Sequence, residues 1–287
     1  MAERIQKLKT ASDYSGYIVV PEDDCRLANL YSEKTINWFD LLENQYLVIV
    51  DSNGLAVDRM KWQDGKYRPI NRKPVESMDL GKVRPKNIEQ EIAIDLLLDE
   101  RSTVKVLTGS FGSGKTMLAC VCSFQMMQSG RFDKIIWVRN NVEVKDSNPI
   151  GFIPGSADDK LAPYAAPLAD HIGGREALSS YITMGKIEVW HLGWLRGRDI
   201  KNSIIFCSEA EHLTRAHVQL LLGRVAEGSI LILEGDFRQI DAKAFESDNG
   251  MLAAIDCLKG NKLFSYVNLR ESVRSETAKL ADLLDKR

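Results

Sequence analysis

Several features that would assign a chain to a specialised class of protein are missing from these 287 residues. No apolar run approaches the length of a membrane-spanning helix, and the polar first residues, 1–7, do not have the pattern of a signal peptide. The formal net charge is only −2, so no overall positive field indicates nucleic-acid binding, and any such site must be a local patch. With 44% hydrophobic and 27% charged residues, the chain has the composition of an ordinary soluble globular protein.

Metal-binding and disulfide patterns are also missing. The five cysteines form no C-x-x-C pair and have no histidine at a zinc-ligand spacing. Three of them, Cys120, Cys122 and Cys207, lie in apolar runs, where cysteine behaves as a small hydrophobe. We therefore expect reduced thiols and a cytoplasmic protein.

One distinctive stretch, residues 104–116, is present. It begins as a β-branched apolar run and ends in G-x-x-x-x-G-K-T, and an apolar helical pattern follows to about Met127. A strand, a glycine loop and a helix in that order are the context in which this motif binds nucleotide phosphates. The alternative, a glycine-serine turn with a chance lysine, is disfavoured because both flanking elements are predicted.

The residue types of this motif fit phosphate binding. Its glycines allow positive φ angles, and its N–H groups together with the helix N-terminus favour negative charge. Lys115 is placed to reach the β- and γ-phosphates of ATP, and the Thr116 hydroxyl to ligate Mg²⁺. We predict a nucleotide site made of Gly109, Ser110, Phe111, Gly112, Ser113, Gly114, Lys115, Thr116, Met117 and Gln90.

Gln90 belongs to a helix predicted over residues 88–98, with Asn87 as the N-cap. The glutamine stands three residues after the cap, which is the position of a capping-box partner. It therefore has two interpretations: a purely structural cap, or a side chain that recognises the adenine base.

Four parts of the chain are predicted: a frayed terminus (1–15), a small β-rich module (16–70), a linker (71–83) and an ATPase domain (84–287). The module has β-like runs at 17–20, 46–50, 57–62 and 66–70, and a short helix at 24–31. Its aromatic residues Trp38, Phe39, Trp62 and Tyr67 are either the module's core or a base-stacking surface, and the core is favoured.

From residue 84 onward, strands alternate with helices, which predicts an α/β domain with a mostly parallel sheet wrapped by helices. Polar clusters at 109–116, 139–141, 208–212 and 235–241 each follow an apolar strand. Ligands of such sheets bind at the carboxyl ends of the strands, so these clusters are expected to converge on the glycine loop. The long irregular stretch that contains residues 151–167 is expected to be functional.

An ordered set of motifs resembles the PhoH-like family of P-loop ATPases. After G-x-x-x-x-G-K-T come G-F-I-P-G at 151–155, then Lys160 and Pro163-Tyr164, then R-G-R at 196–198 and G-D-x-x-Q-I-D at 235–241. The resemblance covers about residues 84–284. The family is similar to superfamily 1 helicases, whose Q-motif glutamine Gln90 would match.

The resemblance implies an ATPase associated with RNA unwinding or remodelling, often a hexameric ring. Glu209 would position the attacking water, Gln239 would sense the γ-phosphate, and Asp236 is a further candidate catalytic residue. Arg274 is the candidate arginine finger in the same chain, and Arg198 or Arg224 would act from a neighbouring subunit. The N-terminal module looks like the linker to a PIN nuclease domain in longer relatives, but we see no array of nuclease carboxylates before it and expect no nuclease activity.

One departure from the family pattern concerns the metal. The second acidic motif usually is D-E-A-Q, whereas this chain has S-E-A-E, with Ser208 in place of the aspartate that holds Mg²⁺. Ser208 and Thr116 are then the candidate metal residues. Glu211 either supplies the missing charge, on the same side as Glu209 if the strand stays extended, or faces solvent. We expect slow hydrolysis with a raised Mg²⁺ requirement.

Three functional classes remain open. The first is an ATP-driven RNA remodeller, whose RNA channel would use the basic residues Arg139, Lys145, Arg196, Arg198 and Lys201. The second is a nucleotide-gated binding module that acts as a switch with little hydrolysis. The third, a small-molecule kinase, shares G-x-x-x-x-G-K-T but is disfavoured by G-D-x-x-Q and by Gln90.

Overall fold

The computed structural model describes residues 14–71, 73–140, 165–240, 245 and 247–273. The described helices are α1 (Arg26–Ser32), α2 (Ile88–Leu98), α3 (Lys115–Gln128), α4 (Ala166–His171), α5 (Arg175–Thr183), α6 (Arg215–Leu222) and α7 (Gly250–Leu258). The described strands are β1 (Tyr17–Pro21), β2 (Tyr46–Val50), β3 (Ala56–Gln63), β4 (Lys66–Pro69), β5 (Val75–Ser77), β6 (Gly81–Val83), β7 (Val104–Gly109), β8 (Lys134–Arg139), β9 (Ile187–His191), β10 (Ser203–Ser208), β11 (Ile230–Gly235) and β12 (Phe264–Leu269).

The centre of the molecule is a sheet of six described strands in the order β12-β7-β11-β10-β8-β9, and each neighbouring pair is parallel. This confirms the predicted α/β class. The strands are apolar on both faces because helices cover both sides. On β10, for example, Ile204 and Phe206 belong to the core beneath α2 to α5, whereas Ile205 and Cys207 belong to the core beneath α6 and α7.

Local signals set the ends of several helices. Helix α2 begins after Asn87, whose Oδ1 accepts the N–H of Gln90 at 2.9 Å. Helix α6 begins after Thr214, which forms a capping box with His217. Both caps satisfy backbone donors that a helix leaves without partners at its first turn.

The N-terminal region folds into a second sheet, in the order β1-β2-β3-β4. Strands β1 and β2 are parallel, and the remaining pairs are antiparallel. Phe39, Trp62 and Tyr67 are buried in its core, with Trp38 packed against them. The core interpretation of these aromatics is therefore confirmed, and the base-stacking interpretation is wrong for the three buried rings because they are covered by the module itself.

This second sheet lies against the acidic face of α2. The Tyr17 hydroxyl donates to Glu89 at 2.6 Å, and the Tyr46 hydroxyl donates to Asp95 at 2.9 Å. Arg59 and Lys61 of β3 form ion pairs with Glu91 and Asp99 at the same interface, with N–O distances of 2.7 and 2.5 Å. The carboxylates of α2 thus hold the N-terminal sheet onto the P-loop domain.

Residues 71–83, predicted as a linker, are partly folded. Strands β5 and β6 form an antiparallel hairpin, and Val75 is fully buried against the core around α3. The sequence pattern missed the hairpin because its strands have only three residues each. In the described residues, no helix is long and apolar enough to cross a membrane.

Candidate functional site

The glycine loop between β7 and α3 has the backbone conformation expected for a phosphate-binding loop. Gly109, Gly112 and Gly114 have φ angles of 152°, 77° and 90°. A Cβ at Gly109 would lie 2.2 Å from the carbonyl oxygen of Leu269, so the neighbouring strand also requires glycine there. The loop places the N-terminus of the 14-residue helix α3 at the carboxyl edge of the sheet, where it favours an anion.

The two motif side chains lie at the start of α3. Lys115 is buried, and its ammonium donates to the carbonyl oxygen of Ser110 at 3.2 Å. The Thr116 hydroxyl donates to Oε1 of Glu234 at 3.1 Å. The same carboxylate oxygen is 3.9 Å from the Lys115 ammonium, so the lysine-threonine pair of the motif contacts a buried acid.

Glu234 was not among the predicted site residues. It lies near the end of β11, between the P-loop strand and β10, and only 5% of the residue is exposed. Its Oε2 accepts a hydrogen bond from the Ser208 hydroxyl at 3.4 Å. Burial raises the pKa of this carboxyl, and the Lys115 ammonium and the Thr116 hydrogen bond partly oppose that rise. The sequence signal was an acid that ends the apolar run Ile230–Leu233.

Glu209 follows Ser208 at the end of β10, but the strand geometry stops there. Its backbone is left-handed, with φ 53° and ψ 47°, and residues 210–212 form a turn of 3₁₀ helix. The Glu209 carboxylate pairs with Arg139 at the end of β8, with Nε donating to Oε2 at 3.1 Å and Nη2 contacting Oε1. The candidate water-positioning acid is therefore held by an arginine.

Glu211 does not share a side of an extended strand with Glu209, because the chain has already turned. It also does not face solvent: the residue is 1% exposed, and its Oε2 accepts the backbone N–H of Asp236 at 3.1 Å. Burial raises the pKa of the Glu211 carboxyl well above its usual range. In this structure, Glu211 joins the ends of β10 and β11.

Asp236 and Gln239 form a compact turn directly after β11. Asp236 is buried and caps this 3₁₀ turn by accepting the N–H of Arg238 at 3.0 Å. The Gln239 amide donates to Asp236 Oδ2 at 3.3 Å, and Arg238 pairs with the same carboxylate. The last residue of the predicted motif, Asp241, is outside the described residues.

Gln90 contacts the glycine loop directly. Its amide nitrogen donates to the Ser113 carbonyl oxygen at 2.9 Å, and its amide oxygen accepts the N–H of Lys86 at 2.9 Å. The structural part of the prediction is thus modified: the side chain spans from Lys86 to the loop instead of closing a capping box on Asn87. Recognition of adenine by Gln90 stays a prediction, and the second N–H and the second lone pair of the amide are the groups that would serve it.

The segment that follows β12 packs along the outside of the glycine loop. The N–H of Ser110 donates to the carbonyl oxygen of Leu269 at 3.1 Å. The N–H of Val273 donates to the carbonyl oxygen of Gly112 at 3.0 Å. Phe111 is 60% exposed at the tip of the loop, and Met117 is half-buried in the first turn of α3. Arg274, the candidate arginine finger, lies just outside the described residues, as do Lys145, Lys160 and the G-F-I-P-G motif.

Arg198, a candidate arginine finger, lies far from the P-loop strand in the sheet order, and Arg224 contacts it. The Arg198 guanidinium lies 4.8 Å from the ring centroid of Trp190 on the edge strand β9, four strands from β7. Arg224 donates to the Arg198 carbonyl oxygen at 3.1 Å. Arg196, Arg198 and Lys201 are exposed, whereas Arg139, predicted as an RNA contact, is engaged by Glu209.

The oxygen atoms around Thr116 fit a magnesium ion. The hydroxyl of Thr116 and the carboxylate of Glu234 are the hard oxygen donors that Mg²⁺ prefers, and the Ser208 hydroxyl is adjacent. Among the described residues, no group of three or more acidic, histidine or cysteine side chains forms a complete metal cage. Such a sparse set matches the usual habit of Mg²⁺, which binds through one or two protein oxygens together with substrate phosphates and water.

Comparison with known proteins gives consistent matches. The model of the PhoH-like protein family matches residues 82–283. Protein PhoH2 of Bacillus subtilis is 32% identical over 288 residues, which cover 94% of this chain and 64% of that protein. Protein PhoH2 of Thermobispora bispora is 29% identical over 267 residues, covering 91% and 60%. A PhoH-like protein of Synechocystis is 32% identical over 197 residues, covering 67% and 58%.

These matches extend across both the glycine loop and the parallel sheet that carries it. The chain spans less than two thirds of the length of these three relatives. The family match covers well over half of the chain, and it agrees with the motif order and with the all-parallel sheet. The chain therefore belongs to the PhoH-like protein family, a membership that indicates an ATP-binding P-loop protein.

Proposed function

We propose that this chain binds ATP with Mg²⁺ at its P-loop, hydrolyses it, and couples hydrolysis to unwinding or remodelling of single-stranded RNA. The observation that carries the ATPase part is the contact of Lys115 and Thr116 with Glu234 at the carboxyl edge of the sheet. The RNA part is supported by the family resemblance and by the exposed basic residues Arg196, Arg198 and Lys201.

In the proposed reaction, a water oxygen attacks the γ-phosphorus and the bond to the β–γ bridging oxygen breaks, which gives ADP and phosphate. Lys115 and the loop N–H groups bind the phosphates, and Glu209 positions the water and accepts its proton. Gln239, held by Asp236, senses the γ-phosphate. Mg²⁺, when bound, neutralises charge on the phosphate oxygens; Thr116 would hold it, with Ser208 nearby.

The ion pair of Glu209 with Arg139 favours a second candidate function, the nucleotide-gated switch. A carboxylate that is held by arginine is less available to activate water, so hydrolysis would wait until this ion pair opens. In a remodeller the pair opens when the RNA partner binds, and in a switch it stays closed.

Steady-state ATP turnover, measured with and without single-stranded RNA, separates the alternatives. We expect slow basal turnover that single-stranded RNA stimulates several-fold. Binding without turnover in either condition would support the switch, and ATP-dependent phosphorylation of a small molecule would support the kinase. Turnover that RNA leaves unchanged would contradict the RNA part of the proposal while leaving the ATPase part intact.

We also propose a hexameric ring, in which Arg198 or Arg224 of one subunit reaches the P-loop of the next. Arg198 lies beside Trp190 on the edge strand β9, four strands from β7, and Arg224 donates to its carbonyl oxygen, which supports a role across subunits. Sedimentation velocity at micromolar concentration, with and without ATP, tests the assembly. A monomer under both conditions would contradict it.

A further inference from the structure

We propose that Glu234 is the carboxylate that serves Mg²⁺ in this chain, in place of the aspartate that the serine at position 208 has removed. This inference rests on the proposed function, because it assigns a residue to the metal of the same nucleotide site. In this assignment, the carboxylate that serves the metal is on β11 and not on the neighbouring strand β10.

The positions of the two residues make this transfer geometrically simple. Strands β10 and β11 are parallel neighbours, and Cys207 pairs with Leu233 in their register. Ser208 and Glu234 are the next residues on their strands, and they contact each other through the 3.4 Å hydrogen bond. A glutamate is one methylene longer than an aspartate, so a carboxylate that starts on β11 reaches the hydroxyl of Thr116.

The hydrogen-bond geometry leaves room for a cation at Thr116. A threonine hydroxyl has one proton to donate and two lone pairs to offer. Here the proton is directed to Glu234 Oε1, so the lone pairs remain for a metal ion. The Ser208 hydroxyl in turn donates to the other carboxylate oxygen, which fixes the orientation of the group.

A purely structural role explains Glu234 poorly. The carboxylate is almost completely buried, and its neighbours are two hydroxyls and an ammonium group 3.9 Å away. A buried charge with so few partners costs stability, and an apolar residue would continue the pattern of β11 without that cost. The negative charge is more readily understood as one half of a site that a divalent cation completes.

The other two acids of the site are already engaged elsewhere. Glu209 is paired with Arg139, and Glu211 accepts the backbone N–H of Asp236. By contrast, Glu234 contacts both residues predicted to hold the metal, Thr116 and Ser208. The structure therefore favours Glu234 over Glu211 as the source of the missing charge, and it predicts an ordinary Mg²⁺ requirement instead of a raised one.

The test measures metal binding without any turnover. Mn²⁺ replaces Mg²⁺, and electron paramagnetic resonance of free Mn²⁺ gives its affinity for the 287-residue chain with ADP bound. We expect Glu234→Gln to weaken Mn²⁺ binding by roughly 10- to 100-fold. Its affinity for ADP in EDTA should not fall, because the neutral amide no longer competes with the phosphates for the Lys115 ammonium 3.9 Å away. Ser208→Asp combined with Glu234→Gln should recover most of the lost Mn²⁺ affinity, because the carboxylate returns to β10.

Glu188→Gln is the matched control, since Glu188 is a sheet carboxylate that pairs with Lys134 on β8, and it should bind Mn²⁺ like the wild type. Equal Mn²⁺ affinity of Glu234→Gln and the wild type would overturn the assignment. If Glu234→Gln does not fold, Glu234→Asp takes its place: its shorter side chain should also weaken Mn²⁺ binding, and an unchanged affinity would overturn the proposal. Failure of the wild type to bind ADP at all would instead contradict the proposed function.

Discussion

At the scale of single residues, the metal side of this site combines a hydroxyl on β10 with a buried carboxylate on the neighbouring strand β11. Ser208 stands where the family resemblance implies an aspartate, and Glu234, one strand away, accepts hydrogen bonds from the hydroxyls of both Thr116 and Ser208. In the proposed site, the negative charge near the metal comes from β11 and not from β10. The consequence is that restoring the usual aspartate alone does not restore the usual site.

Ser208→Asp is predicted to impair the protein. A carboxylate at position 208 would lie beside Glu234, which the present serine approaches to 3.4 Å, and like charges at that distance disfavour each other when buried. We expect a lower melting temperature in EDTA and no decrease in the Mg²⁺ concentration that gives half-maximal turnover. A variant that turns over faster and needs less Mg²⁺ would contradict the role given to Glu234.

A second buried charge, Lys105 in β7, caps the end of α2. Its ammonium donates to the carbonyl oxygens of Leu96 and Asp99 at 2.7 and 2.6 Å, and to the Ser102 hydroxyl at 3.3 Å. Burial lowers the pKa of Lys105 to about 7, and nearby Asp99 partly opposes this shift. The helix that contacts the P-loop is therefore joined to the P-loop strand by a lysine whose charge is costly.

This lysine gives stability a pH dependence. Between pH 7 and the ordinary lysine pKa near 10.5, the unfolded chain holds a proton that the folded chain has lost, so the free energy of unfolding rises with pH across that window. From pH 9 to pH 7, the wild type should lose about 2 kcal/mol more than Lys105→Met. Urea unfolding of both proteins at the two pH values measures the difference. If the free energy of unfolding falls equally in both proteins between pH 9 and pH 7, the lowered pKa of Lys105 is contradicted.

At the scale of elements, the ends of the strands decide where the chemistry lies. Strands β7, β10 and β11 are parallel neighbours, so the polar residues that follow each of them meet at one edge. This convergence was predictable because apolar runs and glycine signals marked each strand end. The pairing of β7 directly with β11 was not predictable from local pattern, and that pairing is what brings Glu234 to Thr116.

The junction between β7 and the glycine loop requires glycine at position 109. Gly109→Ala would need a φ of 152° and would place its Cβ 2.2 Å from the Leu269 carbonyl oxygen on β12. Backbone strain of this kind costs of order 1–3 kcal/mol before any clash is counted, so we expect a loss of at least ~2 kcal/mol in the free energy of unfolding and weaker ATP binding. Chemical denaturation measures the first, and calorimetry measures the second.

Gly130→Ala is the matched control. Gly130 has a φ of 78° with no atom within 4 Å of the added Cβ, so only the backbone strain should appear. It should therefore cost less than Gly109→Ala and leave ATP affinity unchanged. Equal losses for the two variants would contradict the contact with β12 as the cause.

At the scale of the whole molecule, the N-terminal sheet is joined to the P-loop domain by charged contacts to α2. One ion pair there is largely buried: Lys61 is 3% exposed, and its ammonium lies 2.5 Å from the carboxylate of Asp99 at the end of α2. Burial would raise the pKa of Asp99, but the Lys61 ammonium lowers it to about 2. The second sheet thereby contacts the helix that carries Gln90, which itself contacts the glycine loop.

Asp99→Asn is predicted to weaken this interface. The substitution leaves the Lys61 ammonium buried without its charge partner, and breaking such a pair from one side typically costs about 3–5 kcal/mol. Thermal unfolding should show the loss, and Asp99→Asn combined with Lys61→Met should recover much of it. A double variant as unstable as the single one would show that the ion pair is not the source of the effect.

The fold class and the conformation of the glycine loop could be predicted from the sequence because they depend on local periodicity and on glycine positions. The interpretation of residues 71–83 as a linker was incomplete, because the buried contact of Val75 depends on the distant helix α3. The candidate site could be predicted from the sequence only in part, for the same reason. Thr116 and Lys115 follow from a contiguous motif, whereas the contact of Arg139 with Glu209 joins residues 70 positions apart.

Equilibrium binding of ATP in the presence of Mg²⁺ tests the central claim most directly. Isothermal titration calorimetry should show one site per chain in the wild type, and Lys115→Ala should bind roughly 10- to 100-fold more weakly because charge-assisted hydrogen bonds to the phosphates are lost. Lys134→Ala, which removes a lysine paired with Glu188 on the same sheet, should bind ATP like the wild type. Unchanged affinity in Lys115→Ala would contradict the assignment of the nucleotide to this loop.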